Sequence, residues 1–331
     1  MLFGLGRHDE ATAARRRAIP YDTYDNVFPA AVKLRAGDFA AADQMAHSIA
    51  SDRDNDEASW DAFWLLAISY RYQARWRELH ELIERRLAAA SPADRAGAPG
   101  RRAKTTQALA YLESGRPADA LRILDSLTHS RDLGTTNGLR SRTLTFYYAL
   151  LAEAGLALGN AGVVARAADS AEAWSRRDGR LLEIGIATHA RALERLARQD
   201  TVGAMRLFEA AMFSPTVGFT RTNLHLARLL LARGQPRKAT DLLYSALEGA
   251  LDGANYYVTH TELREALADG YAALGKTDSA RVNWNWLSAA LAHADAGARP
   301  RYATVRAHLA SVRTHPSSTS SSSRPIPANT P

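Results

Sequence analysis

The octet Gly270-Tyr271-Ala272-Ala273-Leu274-Gly275-Lys276-Thr277 spells G-x-x-x-x-G-K-T. That is the spacing of a loop that turns backbone N–H groups onto phosphates, with Lys and Thr completing the charge and the metal shell. Such a loop needs a β-strand leading into it. Here the residues from Thr261 to Asp269 are helical in period and composition, and the four middle residues of the octet are helix formers, so the match reads as accidental. The run Asp52-Arg53-Asp54-Asn55-Asp56-Glu57 opens like a calcium loop, but its sixth position holds Glu57 instead of Gly and its twelfth holds Phe63 instead of Glu. It reads as a polar connecting loop. His80-Glu81 opens like a zinc-protease helix, yet Glu84 stands where the second imidazole should be. The ten His residues are dispersed, no Gly-x-Ser-x-Gly elbow occurs, and Gly4-Leu5-Gly6 continues to Asp9 where a dinucleotide fingerprint needs Gly. The chain has no Cys, which excludes thiol nucleophiles, disulfides and Cys-type zinc sites. No catalytic residue, cofactor site or metal ligand is assigned, and the expectation is a protein that is not an enzyme.

Whatever site exists must be positioned by helices. Ala, the strongest intrinsic helix former, fills about a fifth of the chain. The 331 residues are 46% hydrophobic and 23% charged, too apolar for wholesale disorder. Three zones are expected: a polar arm at 1–20 carrying Arg15-Arg16-Arg17, a helical body at 21–310, and a disordered Ser/Pro-rich tail at 311–331. The net charge is +7, but the Arg residues are scattered among Asp and Glu as on a solvated surface. Met1 to Gly6 lacks the basic start of a secretory signal, and no stretch approaches the roughly 18 apolar residues of a membrane span, so the cytoplasm is the expected location.

The body repeats. Breaks fall at Gly37, Ala74, Gly115, Gly159, Gln199, Gly234 and Gly275, at intervals of 37, 41, 44, 40, 35 and 41 residues. Five residues after each break stand Ala42, Leu79, Ala120, Val164, Ala204, Ala239 and Ala280, and nine after stand Ala46, Ile83, Leu124, Ala168, Phe208, Leu243 and Trp284. Seven residues before each break the column reads Ala30, Ala67, Ala108, Ala152, Ala192, Ala227 and Ala268. A small side chain there lets two helices approach closely, and the apolar columns supply surfaces that only a neighbouring unit can bury. Pro29 is expected to shorten the first helix. A further helix is expected after Trp286, running to about Leu309. Thr259 and Glu262 have the spacing of a capping box.

These columns resemble the tetratricopeptide repeat, most closely over Ala108-Leu109-Ala110-Tyr111-Leu112-Glu113-Ser114-Gly115-Arg116-Pro117-Ala118-Asp119-Ala120. Phe63, Ala67, Tyr70 and Ala268, Tyr271, Gly275, Ala280 follow the same plan. The units are longer than the standard 34 residues, and Lys33 and Arg195 replace the aromatic in the first and fifth. The longer units are similar to the helical sensor arrays of bacterial transcriptional regulators and serine/threonine kinases. The resemblance implies an all-α fold, a right-handed superhelix of about seven helical hairpins plus a C-terminal helix, whose concave groove binds a protein or peptide as a scaffold or sensor in bacterial regulation. It places Trp64, Arg71, Tyr72, Arg102, Glu153, His189, Arg221 and Arg228 in that groove, with Glu265 and Asp269 near the far end. The Asn and Lys of a two-carboxylate clamp are missing: the intervening column holds Leu65, Thr106, Leu150, Ala190, His225 and Ala266. A basic module for nucleic acid, motivated by the charge and by Arg101-Arg102, is the alternative, and an uncharacterised enzyme comes behind it.

Overall fold

In a computed structural model the residues described are 24–50, 56–130, 133, 136–212, 220–247 and 258–314. The polar arm, most of the Asp52 run and the tail beyond 314 lie outside them. Sixteen α-helices and no strand occur among the described residues. They pair as α1 (Tyr24–Ala36) with α2 (Phe39–Ala50), α3 (Asp56–Tyr72) with α4 (Trp76–Ala89), and, after the short α5 (Pro92–Ala96), α6 (Ala98–Glu113) with α7 (Pro117–Thr128). Next come α8 (Asn137–Ala157) with α9 (Ala161–Asp178), α10 (Leu181–Ala197) with α11 (Thr201–Ala211), and α12 (Arg221–Ala232) with α13 (Pro236–Leu247). The seventh pair is α14 (His260–Ala273) with α15 (Thr277–Ala290), and α16 (Arg299–Thr314) ends the fold. Each helix packs on its sequence neighbour, and first helices also touch first helices, as α1 with α3, α8 with α10 and α12 with α14. This is a tetratricopeptide-like solenoid of seven hairpins.

One backbone device makes every hairpin. All seven break residues lie in the left-handed region, with φ between 51° at Ala74 and 85° at Gly37. In each, the break N–H bonds the carbonyl three residues back and the next N–H bonds the carbonyl five residues before it, as in Gly159 to Leu156 (2.9 Å) and Asn160 to Gly155 (2.9 Å). This is a Schellman cap, which satisfies carbonyls that the helix end would otherwise leave bare and reverses the chain at once. Ala74 and Gln199 adopt it despite their Cβ atoms, because the packed hairpin outweighs the local steric cost. The seven Ala of the column before the break are all buried, none above 1% exposed, and the columns five and nine residues after it are buried as well. Thr259 and Glu262 form the capping box of α14. Pro29 does not shorten α1, which runs through it from Tyr24 to Ala36; the helix forgoes one hydrogen bond in its second turn.

The buried apolar side chains form two clusters, and the second joins the two ends of the solenoid. It unites Val27, Phe39, Tyr72 and Trp76 with Ala280, Trp286, Leu291 and Val305. Trp286 donates to the carbonyl of Arg35 (3.2 Å), and Arg35 donates to the carbonyl of Leu247 (2.9 Å). Thr261 donates to the carbonyl of Tyr72 (2.5 Å), and the amide of Asp295 donates to the carbonyl of Ala74 (3.0 Å). The superhelix therefore closes on itself, with hairpins one and two against hairpin seven. No helix of the described residues is long and apolar enough to cross a membrane.

Candidate functional site

The eight expected groove residues fall into separate groups. Trp64 on α3 and Arg102 on α6 meet each other, the guanidinium 4.3 Å above the indole, with Trp60 stacked alongside at 5.8 Å. Tyr72 is wholly buried in the closure beneath His260 of α14. Arg71 is 2% exposed and grips Glu113 of α6 through Nε, which donates at 3.1 Å to both carboxylate oxygens, and through Nη2. Burial pushes the Glu113 carboxyl above its ordinary range, and Arg71 offsets this only in part.

Arg71, Glu113 and Arg228 line one cavity of about 280 Å³ together with Glu262 and Glu265 of α14 and Arg301 of α16. Its walls thus come from hairpins two, three, six and seven and the last helix, which only closure brings together. Three guanidinium groups and three carboxylates line it, and two pairs are already made, Arg71 with Glu113 and Arg301 with Glu265. Arg301 donates to Glu265 at 2.9 and 2.7 Å. Burial works against the ionised form of Glu262, but Arg221, Arg228 and the backbone N–H of Thr259 outweigh it and hold this carboxyl below its ordinary range. Arg228 is exposed at the rim.

Glu153 of α8, His189 of α10 and Arg221 of α12 converge with a residue that the sequence reading had placed in the intervening column, His225. Glu153 Oε1 lies 3.0 Å from His189 Nε2 and 3.0 Å from His225 Nε2, while Oε2 lies 3.0 Å from His225 Nε2 and 4.0 Å from Arg221 Nη1. His189 Nδ1 meets Thr222 Oγ1 at 3.0 Å. The His225 ring stacks on Phe208, centroids 5.4 Å apart and planes 5° apart. Burial lowers His189 to about 4 in spite of its carboxylate partner, so the imidazole is neutral. Burial alone would raise Glu153, but His225, the bond from His189 and Arg221 carry it well below the ordinary carboxylate range. Arg221 is itself buried, and among the described residues its Nε and Nη2 have no hydrogen-bond partner.

Two chemistries are open to this cluster. The order Thr222–His189–Glu153 has the connectivity of a hydroxyl–imidazole–carboxylate relay, but Thr222 and His189 are 2% and 0% exposed, so no substrate reaches the hydroxyl. The three atoms that could ligate a metal, one each from Glu153, His189 and His225, lie within 4.8 Å of one another. Sequence columns could not show this, because the three residues stand at three different offsets from their breaks. The phosphate-loop match, by contrast, dissolves: Gly270 is inside α14, Gly275 is the left-handed cap, and Lys276 is an exposed residue opening α15. His80 lies on α4, its ring stacked on Tyr111 at 4.4 Å.

No family model matches the chain, and no curated protein matches it. Among solved structures it is similar to a Podospora anserina protein named as a kinesin light chain, with nearly identical TPR-like repeats. The identity is 20%, the match covers 59% of this chain and 97% of the other, and the TM-score is 0.33. The assignment of a tetratricopeptide-like solenoid rests on the chain's own seven hairpins and their shared caps.

Proposed function

We propose that the chain is a non-enzymatic binding scaffold or sensor array, acting in bacterial regulation, that receives a protein or peptide segment at its concave face. The observation that carries this reading is the cavity lined by Arg71, Arg228, Arg301, Glu113, Glu262 and Glu265, in which Arg228 and Glu262 lie outside the pairs Arg71–Glu113 and Arg301–Glu265. A wall that offers donors and acceptors in equal measure suits a segment with backbone amides and both signs of charge. A polyanion would meet the carboxylates as repulsive neighbours. The nucleic-acid alternative is further weakened because many Arg residues already hold carboxylates, as Arg75 does with Asp43, Arg142 with Glu183, and Arg191 with Asp169, Glu172 and Glu194.

The rim residue Arg228 provides the test. A random-peptide library panned against the full chain should enrich a family of sequences, and Arg228→Glu should weaken their binding at least tenfold with helical circular dichroism unchanged. Enrichment of nothing, or peptides indifferent to Arg228→Glu, would remove the cavity from the reading.

A further inference from the structure

The cluster of Glu153, His189 and His225 is not used by the peptide reading, and it has the composition and convergence of a metal centre. We propose that these three side chains form a site for a divalent transition metal of the zinc type, held between the fourth, fifth and sixth hairpins. The donors are two imidazole nitrogens and a carboxylate oxygen, a set that suits zinc, nickel or copper and not magnesium or calcium. Each ligand comes from the first helix of a consecutive hairpin, so the tripod is fixed by the packing of α8, α10 and α12 and not by a loop. The separations of 3.0 Å between Glu153 and each imidazole are a few tenths shorter than the roughly 3.3 Å between ligand atoms around a tetrahedral ion, and the two imidazole nitrogens, within 4.8 Å of each other, would be drawn together by the ion.

The hydrogen atoms can be accounted for. In the metal-free cluster a neutral His189 donates from Nε2 to Glu153 and accepts at Nδ1 from the Thr222 hydroxyl. With a metal at Nε2 the proton resides on Nδ1, and the same hydroxyl turns to accept it. Thr222 thereby serves in both states, as an outer partner that fixes the orientation of the ring toward the metal through one hydrogen bond. The entry path is at His225, whose side chain is 17% exposed, whereas the His189 side chain is sealed.

Arg221 decides what completes the shell. Its charge, 4.0 Å from Glu153, opposes a bare dication, but its Nε and Nη2, unpartnered among the described residues, offer a place for an anion. Three protein ligands leave a fourth position open. The site therefore takes its ion together with an anionic fourth ligand, such as chloride, hydroxide or a carboxylate, that also satisfies Arg221.

The test uses the untagged full chain with zinc alone, and with cobalt as its coloured stand-in. Dialysis with elemental analysis should find one ion per chain at this site, cobalt should show visible bands of tetrahedral intensity, and zinc should raise the melting temperature. His225→Phe keeps the ring against Phe208 and removes the ligand, so it should abolish the bands and the thermal shift; if its circular dichroism is lost, His225→Gln is read instead. Thr222→Val should weaken zinc about 10- to 100-fold. A folded wild-type chain that takes up no zinc or cobalt would overturn the proposal. So would uptake that both His225 variants leave unchanged. The outcome is independent of whether any peptide binds.

Discussion

The imidazole of His260 lies flat on the phenol ring of Tyr72, centroids 4.9 Å apart and planes 17° apart, although 188 positions separate the two residues in sequence. This stack is the seam where the seventh hairpin meets the second, and among the described residues neither His260 nitrogen nor the Tyr72 hydroxyl has a hydrogen-bond partner. Burial, then Arg264 on the same helix and Arg35 on α1, hold His260 well below the ordinary histidine value of 6.5.

Acid should therefore weaken the closure. The folded chain keeps His260 neutral while the unfolded chain protonates it, so the stabilisation is complete above pH 6.5 and is lost as pH falls below it. The slope is about 1.4 kcal/mol per pH unit for each proton refused. His189 adds to the loss down to about pH 4. His260→Phe retains the stack and should flatten the dependence between pH 7 and 5, as read by urea unfolding at each pH. An identical dependence in both proteins would show that this seam does not sense protons.

The left-handed caps make a graded set. An added Cβ at Gly115 meets nothing within 4 Å, so Gly115→Ala should cost only the backbone term, about 1 kcal/mol. At Gly37 the same atom would lie 2.9 Å from Trp286 Cδ1, and Gly37→Ala should cost about 2–3 kcal/mol. Gln199→Gly, which relieves a φ of 63°, should stabilise by about 0.5–1 kcal/mol. Denaturant midpoints of the three variants check the order.

The buried pair of Arg71 and Glu113 should behave asymmetrically. Glu113→Ala strands a guanidinium away from water and should destabilise by about 3–5 kcal/mol. Arg71→Met combined with Glu113→Leu removes both charges and should recover most of that loss. A double-mutant cycle of unfolding free energies measures the coupling, and additive single effects would contradict it.

Helix α4 is capped from far along the chain. Its own N-cap residue, Arg75, makes no side-chain cap, and the Arg77 N–H instead donates to Asp295 Oδ2 at 2.7 Å. Asp295→Ala should cost about 1 kcal/mol and speed amide exchange at Arg77, which NMR would resolve. Unchanged exchange would mean that the bond contributes nothing to closure.

Local chemistry determined the repeat. A helix must end, reverse and pack within a few residues, and each step demands its own residue type: a left-handed cap at Gly37, Gly115 or Gly275, and a small residue where the paired helices touch, as at Ala30 and Ala268. Those requirements recur at near-constant intervals, so seven hairpins, their breaks and their buried columns could be read from one chain. Closure could not. It depends on a small rotation from each unit, summed over seven units of unequal length, and on contacts such as Trp286 with Arg35 that no interval encodes. The same summation buried Tyr72 beneath His260 and brought Arg71 and Glu113 to one cavity with Glu262, Glu265 and Arg301. Sequence specified what each hairpin is, because that is settled within some 35 to 45 residues; the tertiary structure alone decided which side chains meet across hairpins, because superhelical geometry is a property of the whole stack.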